Sequence, residues 1–419
     1  MQTQSSRPYA WVPSLYFAEA LPYVAVMVIA TTMYKRMGLS NTDLALYTSW
    51  LYLPWVIKPL WSPFIAAIKT ERWWVLLMQL CISAGFAGIA FTLPTSTWLQ
   101  GSLAFFWLLA FASATHDIAA DGLYILGLDT HDQSLYVGIR STFYRVGTIA
   151  GQGLLVMLAG WLEKSQTVPM AWSITFLVLM GVFIALWLWH NIALPKVPQK
   201  ASQPTGFLGD FWLALKTFFT KPHILSALLF MLLFRFPEGQ LVKIANPFLL
   251  DSAEAGGLAL STEAVGFVYG TIGIIGLTVG GLLGGWCVSR HGLKRWLWPM
   301  VLCISLPDLV YVYLASVGDP SFFVVNLCVF IEQFGYGFGF TAYMLFLVYF
   351  SQGERSTAVF SICTALQALG MMLPGMIAGW MADHLGYLNF FWWVVACCLV
   401  TFAVSAFIKI DSSYGKKEQ

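Results

Sequence analysis

Long apolar runs alternate with short polar interruptions from one end of the chain to the other. A membrane-spanning helix needs about 20 apolar residues. Runs of that kind occupy 11–33, 43–68, 73–93, 98–125, 137–162, 170–193, 223–249, 261–287, 294–316, 321–350, 356–381 and 387–410. The pattern predicts an all-α integral membrane protein with twelve spans. The longest interruption, 195–222, carries Pro195, Pro198, Pro204 and Gly206 among Lys196, Lys200, Lys216 and Lys221. It reads as a polar cytoplasmic linker between two pseudo-symmetric six-helix bundles, 1–194 and 223–419. The first run begins near Trp11 after the polar stretch Met1 to Tyr9, so it reads as an uncleaved signal-anchor.

Composition sharpens this picture. The chain is 58% hydrophobic and 10% charged, against about 25% charged in soluble domains, and its mean hydropathy is +0.73. A soluble enzyme and a disordered chain are excluded, and a net charge of only +2 argues against nucleic-acid binding. The distribution of Lys and Arg orients the spans. With the N-terminus in the cytoplasm, that side holds Arg7, Lys69, Arg72, Lys196, Lys200, Lys216, Lys221, Arg290, Lys294, Arg295, Arg355, Lys409, Lys416 and Lys417. The outer side holds Lys35, Arg36 and Lys164, so both termini are expected inside. The seven cysteines contain no C-x-x-C and read as small buried hydrophobes. No cofactor and no metal site is expected.

An internal repeat is legible. A shift of 219 residues lays Leu158-Ala159-Gly160-Trp161-Leu162 on Ile377-Ala378-Gly379-Trp380-Met381, Gly151 on Gly370, and Phe17-Ala18-Glu19 on Phe236-Pro237-Glu238. Two repeats of six spans is the architecture of transporters whose halves rock around a midplane site.

Several stretches resemble the peptide–acetyl-CoA–drug transporter group of the major facilitator superfamily, which includes the AmpG-type muropeptide permeases and the RhtX/FptX-type siderophore permeases. They are Leu15-Tyr16-Phe17-Ala18-Glu19-Ala20-Leu21-Pro22; Lys58-Pro59-Leu60-Trp61-Ser62-Pro63; Ser113-Ala114-Thr115-His116-Asp117-Ile118-Ala119-Ala120-Asp121; and Tyr144-Arg145-Val146-Gly147 followed by Gly151. Gly285 to Arg295 resembles the general facilitator loop motif, with Ser289 in place of its aspartate. The resemblance implies a major facilitator fold in which spans 1, 4, 7 and 10 line a central cavity and spans 3, 6, 9 and 12 face lipid.

Ionisable groups at membrane depth are functional candidates by default. Glu19, Lys58, His116, Asp117, Asp121, Arg140, Arg145, Arg235, Glu238, Lys243, Asp308 and Glu332 lie inside predicted spans. Spans 1, 4, 7 and 10 hold eight of these twelve, which fits the cavity assignment independently. Glu19, Arg235, Glu238 and Glu332 lie near the middle of their predicted spans, and Lys243 lies outward of them. Lys58, Asp117, Asp121, Arg140 and Arg145 lie toward the cytoplasmic ends. That second group reads most simply as an ion-pair network latching an inner gate, with substrate contact as the alternative. The central group reads as functional. A carboxyl withdrawn from water takes up a proton more readily, and Arg235 shares a helical face with Glu238, so Glu19 is the expected proton carrier and Arg235/Glu238 the expected substrate or gating element. Glu332 is held in reserve. His116 reads equally as a proton relay or as a hydrogen bond between helices, and Asp308, beside Pro307, as a cap or snorkelling group. Tyr16, Tyr23, Phe234, Phe236 and Tyr336 are placed to stack on a sugar or simply to pack. The glycine series Gly276, Gly280 and Gly284, with the pairs Gly147/Gly151 and Gly375/Gly379, reads as small-residue faces for close helix contact.

The chain lacks a nucleotide-binding P-loop. It therefore reads as a secondary transporter: a proton symporter that imports muropeptide or related anhydro-sugar products of cell-wall turnover across the inner membrane. Arg235 and Lys243 are the expected partners of the substrate's carboxylates. A siderophore importer is the alternative, followed by a drug or metabolite exporter. An intramembrane metalloenzyme built on His116-Asp117-x-x-x-Asp121 is disfavoured by the neighbouring arginines. The expected partners are a small-molecule substrate, protons and membrane lipid, with no nucleic acid, and the chain is expected to act as a monomer.

Overall fold

The computed structural model describes residues 7–62, 65, 68–128, 130–196, 207–353, 356–412, 414 and 415. Pro63, Pro198, Lys200, Pro204, Gly206, Arg355, Lys416 and Lys417 lie outside these residues. Every regular element among them is helical. In chain order they are α1 (Pro8–Arg36), α2 (Asn41–Trp50), α3 (Leu53–Ile57), α4 (Glu71–Thr92), α5 (Trp98–Gly127), α6 (Gly138–Leu162), α7 (Val168–Ala193), α8 (Phe207–Phe219), α9 (Ile224–Leu233), α10 (Phe236–Leu250), α11 (Thr262–His291), α12 (Leu293–Val317), α13 (Phe322–Ser351), α14 (Ser356–Leu385) and α15 (Tyr387–Phe407).

Among the described residues, eleven of the predicted spans form helices long and apolar enough to cross a membrane, with α9 and α10 together making the seventh. The second span is broken. Its first piece, α2, ends at Trp50, and α3 leads into a 3₁₀ turn at Lys58–Leu60. Pro54 and Pro59 cause this, since each removes a backbone donor and disfavours helix at the residue before it. Side-chain caps start several helices: Ser40 Oγ accepts from Asp43 N at 3.1 Å, Thr70 Oγ1 from Trp73 N at 3.3 Å, and Ser261 Oγ from Ala264 N at 3.1 Å. Gly292 and Gly386 adopt φ of 85° and 73° in the tight corners that join α11 to α12 and α14 to α15.

Two compact units result. One comprises Met1–Met33 with Ile57–Phe207, the other Tyr34–Val56 with Leu208–Gln419. In the first unit α1 lies close on α6, where a Cβ on Gly147 would sit 2.8 Å from the Phe17 carbonyl oxygen. In the second, α10 lies equally close on α14, where a Cβ on Gly239 would sit 2.8 Å from Pro374 Cγ. These helix pairs correspond under the 219-residue shift. The glycine series on α11 packs against α13, and a Cβ on Gly280 would collide with the Phe334 carbonyl oxygen. The segment Tyr34–Val56 groups with the second unit because α2 lies directly on α14, with room for no side chain at Gly379, whose Cβ would collide with the Asn41 carbonyl oxygen. Thr42 Oγ1 donates to Asp383 at 2.7 Å, and Lys35 Nζ pairs with Asp251 at 2.7 Å.

The 195–222 segment holds more structure than a polar linker. Its latter half forms α8, whose buried Phe218 packs edge-on against Phe350 with ring centroids 5.6 Å apart.

Candidate functional site

In the first unit, α1 brings Tyr16 and Glu19, the turn after α3 brings Lys58, α5 brings Asp117 and Asp121, and α6 brings Arg140. Lys58 Nζ pairs with Asp117 Oδ2. Arg140 Nη2 lies 3.1 Å from Asp121 Oδ1, and the same oxygen accepts from Tyr16 Oη at 3.0 Å. The guanidinium stands 4.4 Å above the Tyr16 ring and 5.0 Å from that of Tyr124. Glu19, only 9% exposed, lies beside Asp117 and Asp121, and its Oε2 has no hydrogen-bond partner. The depth ordering expected from sequence therefore does not hold: Glu19, placed at mid-depth, and Asp117, placed near an end, belong to one network. The reason is geometric. Asp117 is ten residues from the end of α5 and Glu19 eleven from the start of α1, so both lie about 15 Å along their helices. Tyr16, read as a ring that either stacks on a sugar or packs, is fully buried within the network. Tyr23 and Arg145 are half-buried on α1 and α6.

His116 faces elsewhere. The Gln79 amide donates to His116 Nε2 at 3.2 Å and to His190 Nδ1 at 2.7 Å. With Nδ1 an acceptor, His190 Nε2–H donates to Ser14 Oγ at 2.9 Å, and Ser14 in turn donates to the Trp11 carbonyl at 3.2 Å. This chain ties α1, α4, α5 and α7 together. Gln79, His190 and Ser14 escaped the sequence reading because they come from three separate helices, and no spacing within one helix links them. With His116 on Gln79, Asp117 on Lys58 and Asp121 on Arg140, the three residues considered as a metal site point to three different partners. Among the described residues no group of three or more His, Cys, Asp or Glu is arranged to hold a metal ion.

In the second unit the buried charges fall into separate groups. The seventh span breaks between α9 and α10 at Phe234 and Arg235, just before Pro237. Arg235 forks onto Glu238, Nε to Oε2 at 2.8 Å and Nη2 to Oε1 at 2.5 Å, and also donates to Tyr336 Oη at 2.8 Å. Its guanidinium lies 4.7 Å from the Phe340 ring. Phe236, beside it, is half-buried. Lys243 is 1% exposed; its ammonium donates to Thr48 Oγ1 at 3.0 Å and stands 4.9 Å over the Tyr52 ring. Both partners come from the broken second span, and neither carries charge. Glu332 is buried too. It accepts from Gln333 Nε2 at 2.9 Å and from Tyr311 Oη at 3.4 Å, with Tyr269 Oη 2.6 Å from Tyr311 Oη. Asp308 neither caps nor snorkels outward: a 3₁₀ turn at Leu306–Asp308 turns it inside, 5% exposed, where it accepts from Cys398 Sγ at 3.5 Å.

The two regions occupy corresponding places. The 219-residue offset carries Tyr16, Glu19, Asp117 and Asp121 onto Arg235, Glu238, Tyr336 and Phe340. Each foursome is assembled from the same pair of equivalent spans.

Comparison with known proteins completes the picture. The Major Facilitator Superfamily family model matches residues 14–373. The anhydromuropeptide permease of Escherichia coli (strain K12) is 25% identical over 393 residues, covering 92% of this chain and 76% of that protein. The putative transporter AmpG 4 of Rickettsia conorii is 23% identical over 387 residues, covering 89% of this chain and 90% of its own. Among solved structures, a point mutant of the nucleoside transporter NupG superposes with a TM-score of 0.73 at 17% identity, covering 95% of this chain and 99% of that one. A POT family transporter in complex with 5-aminolevulinic acid superposes with a TM-score of 0.74 at 13% identity, covering 96% of each chain. At such identities these structures speak to the fold, while the family model spans most of the chain. The chain belongs to the Major Facilitator Superfamily and is a multi-pass membrane transporter, not an enzyme.

Proposed function

We propose that the chain imports anhydro-sugar–peptide products of cell-wall turnover across a bacterial inner membrane by proton symport, with both termini in the cytoplasm. The observation that carries the coupling is the burial of Glu19, one oxygen without a hydrogen-bond partner, beside Asp117 and Asp121. In this network three carboxyls, Glu19, Asp117 and Asp121, gather around two cations, Lys58 and Arg140, so one bound proton balances the charge. Glu19, with one oxygen unpartnered, is the group from which that proton comes and goes. Asp117, Asp121, Lys58 and Arg140 form the gating pairs around it. Lys243 supplies an ammonium with neutral partners, to which a substrate carboxylate would bring the missing counter-charge. Tyr336 and Phe236, beside Arg235, offer aromatic surface to a sugar ring.

Muropeptide as substrate is supported by the names of the Escherichia coli and Rickettsia conorii relatives; the siderophore alternative gains nothing from them. The test is uptake of a radiolabelled anhydromuropeptide by the purified protein in proteoliposomes. An inward proton gradient should drive accumulation in the wild type. Glu19→Gln should abolish accumulation while leaving substrate counterflow largely intact. Accumulation by Glu19→Gln with normal pH dependence would remove Glu19 from the coupling role.

A further inference from the structure

At the end of the second unit where α9 begins and α13 and α15 end, a cavity of about 240 Å³ opens between these helices. Its polar lining is basic or neutral: Lys221, His223, Lys409 and Ser226, with no carboxylate among the lining residues. Its apolar wall includes Phe346 and Phe350. Lys221 Nζ donates to the carbonyls of Phe350 and Gln352, both at 2.6 Å, and lies 5.3 Å over the Phe350 ring. These contacts fix the ammonium at the cavity edge with one N–H still to donate. Burial draws Lys221 below the ordinary lysine value, a direction that an anion in the cavity would reverse. His223 and Lys409 are exposed beside it.

The neighbouring helix α8 shows what surrounds this mouth. It has 13 residues, too few to cross a bilayer, which takes about 20. Its inner face buries Ala214 and Phe218, yet its outer face presents Trp212, Leu213 and Phe219 around Lys216. A short helix with an exposed aromatic face and a lysine lies in the plane of the headgroups. The apolar stretch of α9 starts at Ile224 and that of α15 stops at Phe407. Lys221, His223 and Lys409 therefore sit just beyond the apolar ends of their helices, at headgroup depth.

We propose that this cavity holds the headgroup of an anionic phospholipid, with the phosphate at Lys221, His223 and Lys409 and the start of the acyl chains along Phe346 and Phe350. Free phosphate shares the charge but has no use for an aromatic wall, and a zwitterionic lipid lacks the net charge that a basic lining selects.

Native mass spectrometry of the full-length protein, released from non-ionic detergent with equal amounts of phosphatidylglycerol and phosphatidylcholine, tests the proposal. The wild type should retain phosphatidylglycerol over phosphatidylcholine by about tenfold. The double variant Lys409→Gln/His223→Asn leaves the Lys221 contacts intact, and asparagine tolerates the left-handed backbone at position 223, where φ is 58°. It should lose about fivefold or more of that preference. Lys409→Gln alone, checked for folding by gel filtration, should lose part of it, and ten millimolar inorganic phosphate should leave the wild-type preference unchanged. Equal retention of the two lipids, an undiminished preference in both variants, or displacement of the lipid by phosphate would each overturn the proposal.

Discussion

The two polar regions stand on equivalent positions of an internal repeat and solve the problem of buried charge in opposite ways. In the first unit, side chains from separate helices knit into one network in which Glu19 lies beside Asp117, Asp117 pairs with Lys58, and Asp121 pairs with Arg140 and Tyr16. In the second, Arg235 satisfies Glu238 within a single helical turn, while Lys243 and Glu332 keep to neutral partners. The exchange is visible residue by residue: where one copy has Tyr16 and Asp117, the other has Arg235 and Tyr336. A network with surplus carboxyls suits a proton, whose arrival re-sorts every pair. Separated charges suit a ligand, which meets each one independently.

Four tests sharpen or break this contrast. The largest effect is expected at the self-contained pair. Arg235→Ala strands a half-buried carboxylate and should lower stability by about 2–3 kcal/mol. Removing both charges with Arg235→Ala/Glu238→Ala should restore much of it, read as the unfolding midpoint in detergent. If the double variant is no better than the single, the pair is not self-contained. Lys243→Met keeps the volume and removes the charge. Loss of one charge-assisted contact of about 1.5–3 kcal/mol should raise the KM for an anionic substrate about 10- to 100-fold, with the unfolding midpoint held or raised. An unchanged KM would take the substrate elsewhere. In the first unit, Lys58→Asp and Asp117→Lys should each silence transport, and the combined swap should recover about tenfold over either single variant. If it does not, the two residues act separately, not as a latch. The smallest effect is expected at Glu332, whose partners are a tyrosine and an amide. Glu332→Gln should change uptake less than about twofold, within about 0.5 kcal/mol, and loss of proton coupling there would move the proton site into the second unit.

Much of this was legible in the sequence because lipid leaves few options: backbone must close on itself in helices, and charge stands out against 58% apolar residues. The span pattern, the repeat and the Arg235/Glu238 spacing follow from that. Depth was less legible, since it was judged from the middle of each predicted span, and α5 runs 30 residues, more than a bilayer needs. That placed Asp117 too near the surface and hid its place beside Glu19. The network of Gln79, His190 and Ser14 gave no warning, because polar residues on three separate helices share no spacing to read. Helix α8 was passed over because it is too short to span and is flanked by lysines and prolines.

The docking of α2 on α14 has a consequence for synthesis. Thr42 and its partner Asp383 are 341 residues apart. At the ribosome's pace of about 5–20 residues per second, roughly 20 to 70 s separate their emergence. Throughout that interval Thr42 lies in a finished early segment without its native partner, while Thr48 waits only for Lys243, 195 residues on. The nascent chain must shelter this segment, in the insertion machinery or against helices that it later leaves. Chains arrested after α13 should therefore leave α2 open to cysteine-directed labelling, and chains released after α15 should close it.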